Sequence, residues 1–256
     1  MADVAIEHHP QPAAAQAYEP PLFRTNSRKL GMWLFIMSDS LTFGALLFAY
    51  SYGRISNPAW PMPFGAPSIL RASIMTFFLL SSSLTMVLGV AAASRGRMSA
   101  ARGWLLATMA LGTGFVVLHA VEWTGLIHEG LTPFKNPWAA GVPQFGGTFF
   151  TLTGMHMLHV TLGVIYLGVV ALRKKWIPVL LVLWLLAWLL TPASSPFHYG
   201  AHVLLLAAIA AGVILYFKPK DYDAVDVEVS GLYWHFVDLV WMFIFPLVYL
   251  MSTRIS

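Results

Sequence analysis

Long apolar runs separated by short polar or proline-rich breaks dominate the sequence. A helix needs roughly 17–25 apolar residues to cross about 30 Å of hydrocarbon. Five runs reach that length, at about 31–53, 72–93, 103–127, 146–172 and 232–251. Two further apolar pieces, at 176–191 and 202–217, are joined by a Pro/Ser turn. The pattern predicts an all-α, polytopic transmembrane helix bundle of about seven helices, in which the short first piece is either a crossing or a tilted or re-entrant helix.

The composition agrees with a membrane protein. Of the 256 residues, 58% are hydrophobic and 10% are charged, and the mean hydropathy is +0.69. A soluble domain carries about a quarter charged residues. The formal net charge of +4 does not indicate nucleic acid, because the basic residues stand at the ends of apolar runs. The absence of cysteine excludes disulfides, c-type haem attachment and thiolate metal centres formed by this chain.

The chain divides into a polar tail and a membrane domain. Residues 1–23 are rich in Ala, Pro and Gln and lack the basic start and apolar core of a signal peptide. We expect a mobile cytoplasmic tail there, followed by a single transmembrane helical domain over 24–256. That domain carries an apolar insertion at about 176–225. An acidic linker precedes the last run, with Asp221, Asp223, Asp226 and Glu228.

The basic residues predict the orientation in the membrane. With seven crossings and a cytoplasmic N-terminus, the cytoplasmic side holds Arg24, Arg28, Lys29, Arg95, Arg97, Arg102, Arg173, Lys174, Lys175, Lys218 and Lys220. The outer side holds Arg54, Arg71, Lys135 and Arg254. An excess of Lys and Arg in the cytoplasmic loops is the usual arrangement. We therefore predict a multi-pass membrane protein with a cytoplasmic N-terminus and its C-terminus on the outer side.

Histidine and glutamate residues recur at helical spacing within the apolar runs. His156 and His159 are three residues apart and share one helix face, as do His119 and Glu122. Imidazoles within hydrocarbon must point into a protein interior or toward a partner. Three readings of the histidine pair stay open: hydrogen-bonded core side chains, a metal or haem ligand pair, and a contact with lipid, water or a proton.

Two aspartates lie inside the first and the last runs. Asp39 and Asp238 sit at similar depths, about 10–14 Å from the cytoplasmic end at 1.5 Å per residue. A carboxylate at this depth is paired, hydrogen-bonded or neutral. Structural pairing competes with a role in proton entry for Asp39 and with direct catalysis, although no complete catalytic set is visible. His235 and Asp238 share a stripe with Trp241, which is either a packed helix face or a functional one.

Four ordered segments resemble subunit III of the haem–copper terminal oxidases. The resemblance covers about 24–175 and 226–252, and Glu228 fits the family's acidic position before the last helix. The segments are LGMWLFIMSDSLTFGALLFAY (30–50), LHAVEW (118–123), GGTFFTLTGMHMLHV (146–160) and GLYWHFVDLVWMFIFPLVYL (231–250). A tail in place of two further N-terminal helices is similar to the shorter bacterial form of the family, and this likeness implies a bacterial or archaeal cell membrane.

The resemblance implies a non-redox accessory subunit rather than an enzyme in its own right. Such a subunit packs on the catalytic subunit I, joins the other oxidase subunits, and binds phospholipid. It supports proton uptake and sustained turnover while O₂ is reduced to water in aerobic respiration. Haem and copper are expected in the partner subunit, with no cofactor bound by this chain. A cytochrome c oxidase is favoured over a quinol oxidase.

The resemblance also implies roles for single residues. Asp39 stands where the family usually has a glutamate linked to proton uptake, so the shorter side chain is a departure. Arg173 matches a basic position associated with lipid headgroups, and we expect Lys174 and Trp234 to contribute to the same lipid site. The expected buried polar cluster comprises His119, Glu122, His156, His159, Glu228, His235 and Asp238.

The family joins its last two helices by a short loop, so we expect 176–217 to form an extra helical hairpin that covers bundle surface. Alternative functions are an accessory subunit of a nitric oxide reductase and a transporter that uses the buried acids for coupling ions. A third is a membrane metal or haem protein that uses His119, His156, His159 and His235.

Overall fold

The computed structural model describes residues 26–138, 141–142, 144–172 and 222–252. In these ranges five helices are long and apolar enough to cross a membrane. They are α1 (Ser27–Ser56), α2 (Ala66–Ser94), α3 (Met98–His128), α4 (Gln144–Leu172) and α5 (Ala224–Ile244). The prediction of an all-α transmembrane bundle is confirmed for this part of the chain. The two further apolar pieces of the predicted hairpin lie outside the described residues.

The helices extend past the apolar runs because their end turns are polar or capped. The Asn26 side chain accepts a hydrogen bond from the Arg28 backbone N–H at 3.0 Å and caps α1. Pro67 lies in the first turn of α2, where its missing N–H costs no helical hydrogen bond. The loop between α1 and α2 is therefore 57–65, shorter than the 54–70 predicted from proline content.

The predicted acidic linker is instead the beginning of α5, which starts at Ala224 rather than near 232. Asp223 caps the helix: its Oδ1 accepts from the Asp226 N–H at 2.9 Å, and the Asp223 N–H donates to Asp226 Oδ2 at 3.3 Å. Carboxylates are favourable in this position because the first turn of a helix carries unpaired N–H donors and a partial positive charge. A hydropathy criterion misses these two polar turns.

The far end of α5 changes its winding at a proline. A π-helical turn, Phe245–Tyr249, follows Ile244, and a 3₁₀ turn, Leu250–Ser252, completes the span. Pro246 has no N–H to donate, so the regular hydrogen-bond ladder cannot continue through it. The wider turn places Tyr249, which is fully buried, against the core.

The five helices pack with α5 at the centre of the described bundle. α5 contacts α1, α2 and α4, while α3 packs between α2 and α4. α1 contacts α4 and α5 and is the least buried of the five helices. One stripe of α5 still faces outward, with Leu239, Met242 and Phe243 at 57%, 42% and 58% exposure. The polar residues of the candidate sites lie on the inner faces around α5 and along that stripe.

Candidate functional site

Asp39 on α1 and His159 on α4 form a buried pair. His159 Nε2 lies 3.1 Å from Asp39 Oδ2, and the two residues are 6% and 8% exposed. His159 Nδ1 lies 2.8 Å from the Met155 carbonyl oxygen, which accepts hydrogen bonds and therefore requires a proton on Nδ1. The contact lacks the geometry of a hydrogen bond, because Asp39 Oδ2 has no hydrogen-bond partner among the described residues. Two lone-pair atoms at 3.1 Å attract each other only if the ring or the carboxyl carries a second proton. The pair is a place where one proton can be held.

Aromatic side chains enclose the Asp39–His159 pair. The Phe43 ring meets the His159 ring edge-on at 5.1 Å, and Phe236 follows at 6.2 Å from Phe43. The Tyr233 hydroxyl donates to the His159 carbonyl oxygen at 2.9 Å and ties α5 to α4 at this level. Such apolar surroundings strengthen the interaction between the two groups and penalise an unpaired charge.

His119 and His156 form a second polar level, nearer the C-terminal end of α3. His156 Nε2–H donates to the Val237 carbonyl oxygen at 3.0 Å. Both imidazoles are fully buried and both pack on the rings of Phe115 and Trp241. Neither ring nitrogen of His119 has a hydrogen-bond partner among the described residues. Aromatic rings rather than open space adjoin this level.

Glu122 belongs to a third level, next to the far end of α5. The Tyr249 hydroxyl donates to Glu122 Oε2 at 2.8 Å, and the glutamate is 2% exposed. Tyr50 of α1 lies at the same end, where its hydroxyl is 3.2 Å from Ser252 Oγ. Arg54 donates to that serine at 2.8 Å. These contacts close the end of the bundle with hydrogen bonds between side chains.

His235 and Asp238 lie together at the junction of α2 and α5. His235 Nδ1 is 2.6 Å from Ser83 Oγ, and Asp238 lies beside the same hydroxyl. Asp238 is 8% exposed, and its Oδ1 has no hydrogen-bond partner among the residues that the structure describes. This set differs from the other three because its histidine is partly exposed on the outer surface.

Two sequence predictions are wrong in this part of the structure. Glu228 is not buried: its side chain is 42% exposed and pairs with Lys29 at 2.6 Å, because the helix reaches back to the charged end of α1. Trp234 is not available to lipid: it is 2% exposed, and its Nε1–H donates to Ser82 Oγ at 2.9 Å. Its ring packs against Gly163, where small residues let the helices approach. The seven predicted cluster residues therefore separate into distinct sets.

The structure contains an ionic contact between α1 and α5 that the sequence does not predict. Arg28 donates to Asp226 at 2.7 Å and to Asp223 at 3.0 and 3.2 Å. The hydrogen bonds from Arg28 hold the pKa of the Asp223 carboxyl below its ordinary value. Opposite charges at the ends of the first and last runs were the available signal, but 195 residues separate them in the chain. Arg173 and Lys174 lie outside the described residues.

A shallow apolar groove runs between α1 and α4 beside α5. Met32, Phe35, Leu162, Tyr166 and Tyr233 line about 260 Å³ of space there. Apolar walls of this kind fit a hydrocarbon chain better than a polar ligand.

The titratable side chains do not converge on a metal site. Over the described ranges, no three His, Asp or Glu side chains form a group that could hold a metal ion. The four histidines of the alternative prediction are divided between three sets, at His159, at His119 with His156, and at His235. The geometry of these residues therefore gives the metal-protein alternative no support.

Within the described ranges, five helices that are long and apolar enough to cross a membrane define a multi-pass membrane protein. Residues 20–177 match the family described as Cytochrome c oxidase subunit III. This range covers more than half of the chain, and the chain belongs to the subunit III family of the haem–copper oxidases. The resemblance drawn from the four sequence segments is confirmed.

The relatives have two kinds of name. The chain is 28% identical over 251 residues to the Quinol oxidase subunit 3 of Bacillus spizizenii, covering 96% of this chain and 98% of the relative. It is 30% identical over 226 residues to the Cytochrome c oxidase subunit 3 of Bacillus sp. strain PS3, covering 87% and 85%. With the Cytochrome c oxidase subunit 3 of Synechocystis, identity is 31% over 226 residues, covering 88% and 76%. Both names occur, so the predicted preference for cytochrome c is not resolved.

Proposed function

We propose that this chain is the non-redox accessory subunit of an oxidase complex that reduces O₂ to water. It packs on a catalytic subunit that holds haem and copper, and it supports proton uptake and sustained turnover there. The Asp39–His159 pair carries this proposal, since it brings two ionisable groups to 3.1 Å at membrane depth. Two such groups can exchange a proton but do not form a metal site by themselves.

The pair supports proton uptake in two ways: Asp39 can carry a negative charge, and the contact with His159 can hold a proton. The Met155 carbonyl fixes the ring orientation of His159 and directs Nε2 toward Asp39. A proton leaving this contact leaves negative charge on Asp39, which attracts a proton from the surrounding path. In the complex, a carboxylate near the entrance of the catalytic subunit's proton path raises the local concentration of protons. Asp39 takes this role in place of the longer glutamate.

We also propose that the groove between α1 and α4 holds a phospholipid acyl chain. Its apolar lining supports a hydrocarbon occupant. It lies near the end of α4 at Leu172, after which Arg173 and Lys174 follow in the sequence. Cations at that place suit an anionic headgroup, since juxtamembrane Lys and Arg attract anionic lipid. The positive-inside pattern supports a cytoplasmic N-terminus, an outer C-terminus and a place in the cell membrane.

The function is tested by purifying the tagged chain from its native membrane in mild detergent. The expected result is co-purification with a haem- and copper-containing subunit that consumes O₂. Supplying reduced cytochrome c and quinol in separate assays identifies the electron donor. Co-purification with a complex that reduces nitric oxide, or haem bound to this chain alone, would contradict the proposal.

Filling the groove tests the lipid proposal. Leu162→Trp places an indole among the groove residues, so we expect fewer phospholipids per complex in mass spectrometry of the detergent-extracted oxidase. Leu158→Trp is the matched control, because it lies one turn away on α4 and is similarly exposed, at 51% against 48%. Equal lipid content in the two variants would count against the groove as a lipid site.

A further inference from the structure

A polar notch interrupts the outward surface where α2 meets α5. Ser83, His235 and Asp238 form this notch, and Ser83 Oγ lies 2.6 Å from His235 Nδ1. Apolar side chains surround it and face outward: Leu80, Leu84 and Val87 of α2 and Leu239 and Met242 of α5 are 42–62% exposed. We call these eight residues the α2/α5 face.

The notch lies within the membrane span. Glu228, whose side chain is partly exposed and paired with Lys29, marks the charged end of α5. His235 and Asp238 follow it by 7 and 10 residues, which places them about 10–15 Å further along the helix at 1.5 Å per residue. Water is absent from the hydrocarbon at this depth, so the notch needs hydrogen-bond partners from protein.

Two polar atoms of the notch have no hydrogen-bond partner among the described residues. If Nδ1 of His235 accepts from Ser83, Nε2–H is a free donor, and if Nδ1 donates, Nε2 is a free acceptor. No described residue partners Nε2 in either case. Asp238 Oδ1 also has no partner among the described residues, but it is a buried atom, so His235 is the ionisable group of the notch that lies partly at the surface.

The other ionisable side chains at membrane depth contrast with this notch. Asp39, Glu122 and His156 also carry a side-chain atom without a hydrogen-bond partner among the described residues, but all three residues are buried, at 0–8% exposure. His119 is unpartnered among the described residues but is fully buried. Ionisable groups that face outward at this depth are costly in lipid, and polar side chains between membrane helices hydrogen-bond across the contact.

We infer that the α2/α5 face is the surface on which the catalytic subunit docks, through a transmembrane helix that presents a hydrogen-bonding side chain to His235. The apolar residues of the face pack against that helix, and its polar side chain completes the notch. This inference rests on the proposed function, because it assumes that the chain is part of an oxidase complex. It adds which face of the bundle meets the catalytic subunit.

Cross-linking in the assembled complex tests the face directly. The natural chain has no cysteine, so Leu239→Cys gives a single attachment point for a thiol-reactive benzophenone. Ile165→Cys on the outward face of α4 is the control, since its side chain is equally apolar and 56% exposed against 57% for Leu239. After illumination of native membranes, we expect the Leu239→Cys adduct to contain the catalytic subunit and the Ile165→Cys adduct to contain lipid.

His235→Leu tests the polar notch. Leucine fits the apolar surroundings, and Ser83 keeps its contact with Asp238, so thermal unfolding of the purified variant should match that of Ser83→Ala, which removes the same α2–α5 hydrogen bond without changing His235. If the notch binds a partner, loss of one hydrogen bond to an ionisable group raises the dissociation constant of the subunit roughly tenfold. Thr161→Val on α4 is the matched polar-to-apolar control and should not change retention of the subunit during detergent washing.

The outcomes separate this inference from the proposed function. Adducts of Leu239→Cys with lipid or with a second copy of this chain, in a complex that still co-purifies, would overturn the docking face alone. Unchanged retention of His235→Leu would do the same. If no oxidase subunit co-purifies with the natural chain, the proposed function fails and the inference fails with it.

Discussion

The partner of each buried histidine decides what that residue can do. His159 meets a carboxylate, His156 meets a backbone carbonyl, and His235 meets a hydroxyl at the surface. A carbonyl accepts a hydrogen bond and fixes the tautomer, whereas a carboxylate also stabilises a protonated ring. The sequence predicts that these residues are buried in a helix face. It does not predict their partners, because each partner belongs to a different helix or turn.

Gly163 on α4 shows how closely the core is packed around Trp234. A Cβ added at Gly163 would lie 2.9 Å from Trp234 Cζ3 and 3.1 Å from Tyr233 Cε1. We expect Gly163→Ala to destabilise the chain by about 1–3 kcal/mol, as overpacked core substitutions do. The measurement is the thermal unfolding of the purified complex in detergent, followed through the loss of this subunit.

Gly44→Ala provides the control for this prediction. Position 44 on α1 has open space around an added Cβ, so the methyl group meets nothing within 4 Å. Alanine is the better helix former by roughly 1 kcal/mol, and the variant should be neutral or slightly stabilised. Equal losses of stability in the two variants would show that packing against Trp234 is not the cause.

At the scale of elements, α1 is held at two places along its length. Its outward face is exposed, and its packing in the described bundle comes from α4 and α5. Arg28 and Lys29 join its first turn to the acidic first turns of α5, and the Asp39–His159 pair joins its middle to α4. The apolar groove lies between these two levels. The position of α1 therefore controls the width of the proposed lipid site.

The ionic contact gives a pH-dependent prediction. Arg28 lowers the pKa of Asp223 in the folded chain, while the unfolded carboxyl keeps a pKa of about 3.9. The unfolded state therefore binds protons first, and the stabilisation is present above that pH and is lost as the pH falls through the folded pKa. We expect Arg28→Gln to lower stability only slightly at pH 7, since exposed ion pairs contribute little.

The Arg28→Gln effect should be constant between about pH 8 and 5 and should shrink below about pH 4, following the titration of Asp223. The measurement is the melting temperature of variant and natural chain at each pH. Arg95→Gln is the control, because Arg95 is exposed at the end of α2 and makes no ion pair among the described residues. An effect that does not decrease as the pH is lowered below about 4 toward full protonation of Asp223 would contradict the assignment.

For the whole molecule, apolar length predicts the helices, whereas long-range contacts decide their ends and partners. Each of the five described spans contains one of the five main runs, since the thickness of hydrocarbon sets the length of the apolar part. Hydropathy predicts that α5 begins near residue 232, later than its actual start, because its first two turns are acidic. Arg28 and Lys29, from the other end of the chain, stabilise these two turns. The sequence predicts that Trp234 contacts lipid, because an aromatic residue near a predicted helix end is typical of the membrane–water interface. Once α5 begins at Ala224, Trp234 lies within the core.

The Asp39–His159 pair allows a structural role to be separated from a proton role. Breaking a buried ion pair by removing one partner costs about 3–5 kcal/mol, whereas replacing both partners by apolar residues is often neutral. We expect His159→Leu to impair assembly, and Asp39→Leu combined with His159→Leu to restore it. If the pair holds a proton for the complex, the restored double variant should still turn over more slowly or lose activity sooner in an oxygen-electrode assay.

Asp39→Asn with His159→Gln is the control that keeps polar contact without a titratable group, and it should share the defect. Full, lasting turnover in both double variants would limit the pair to structure.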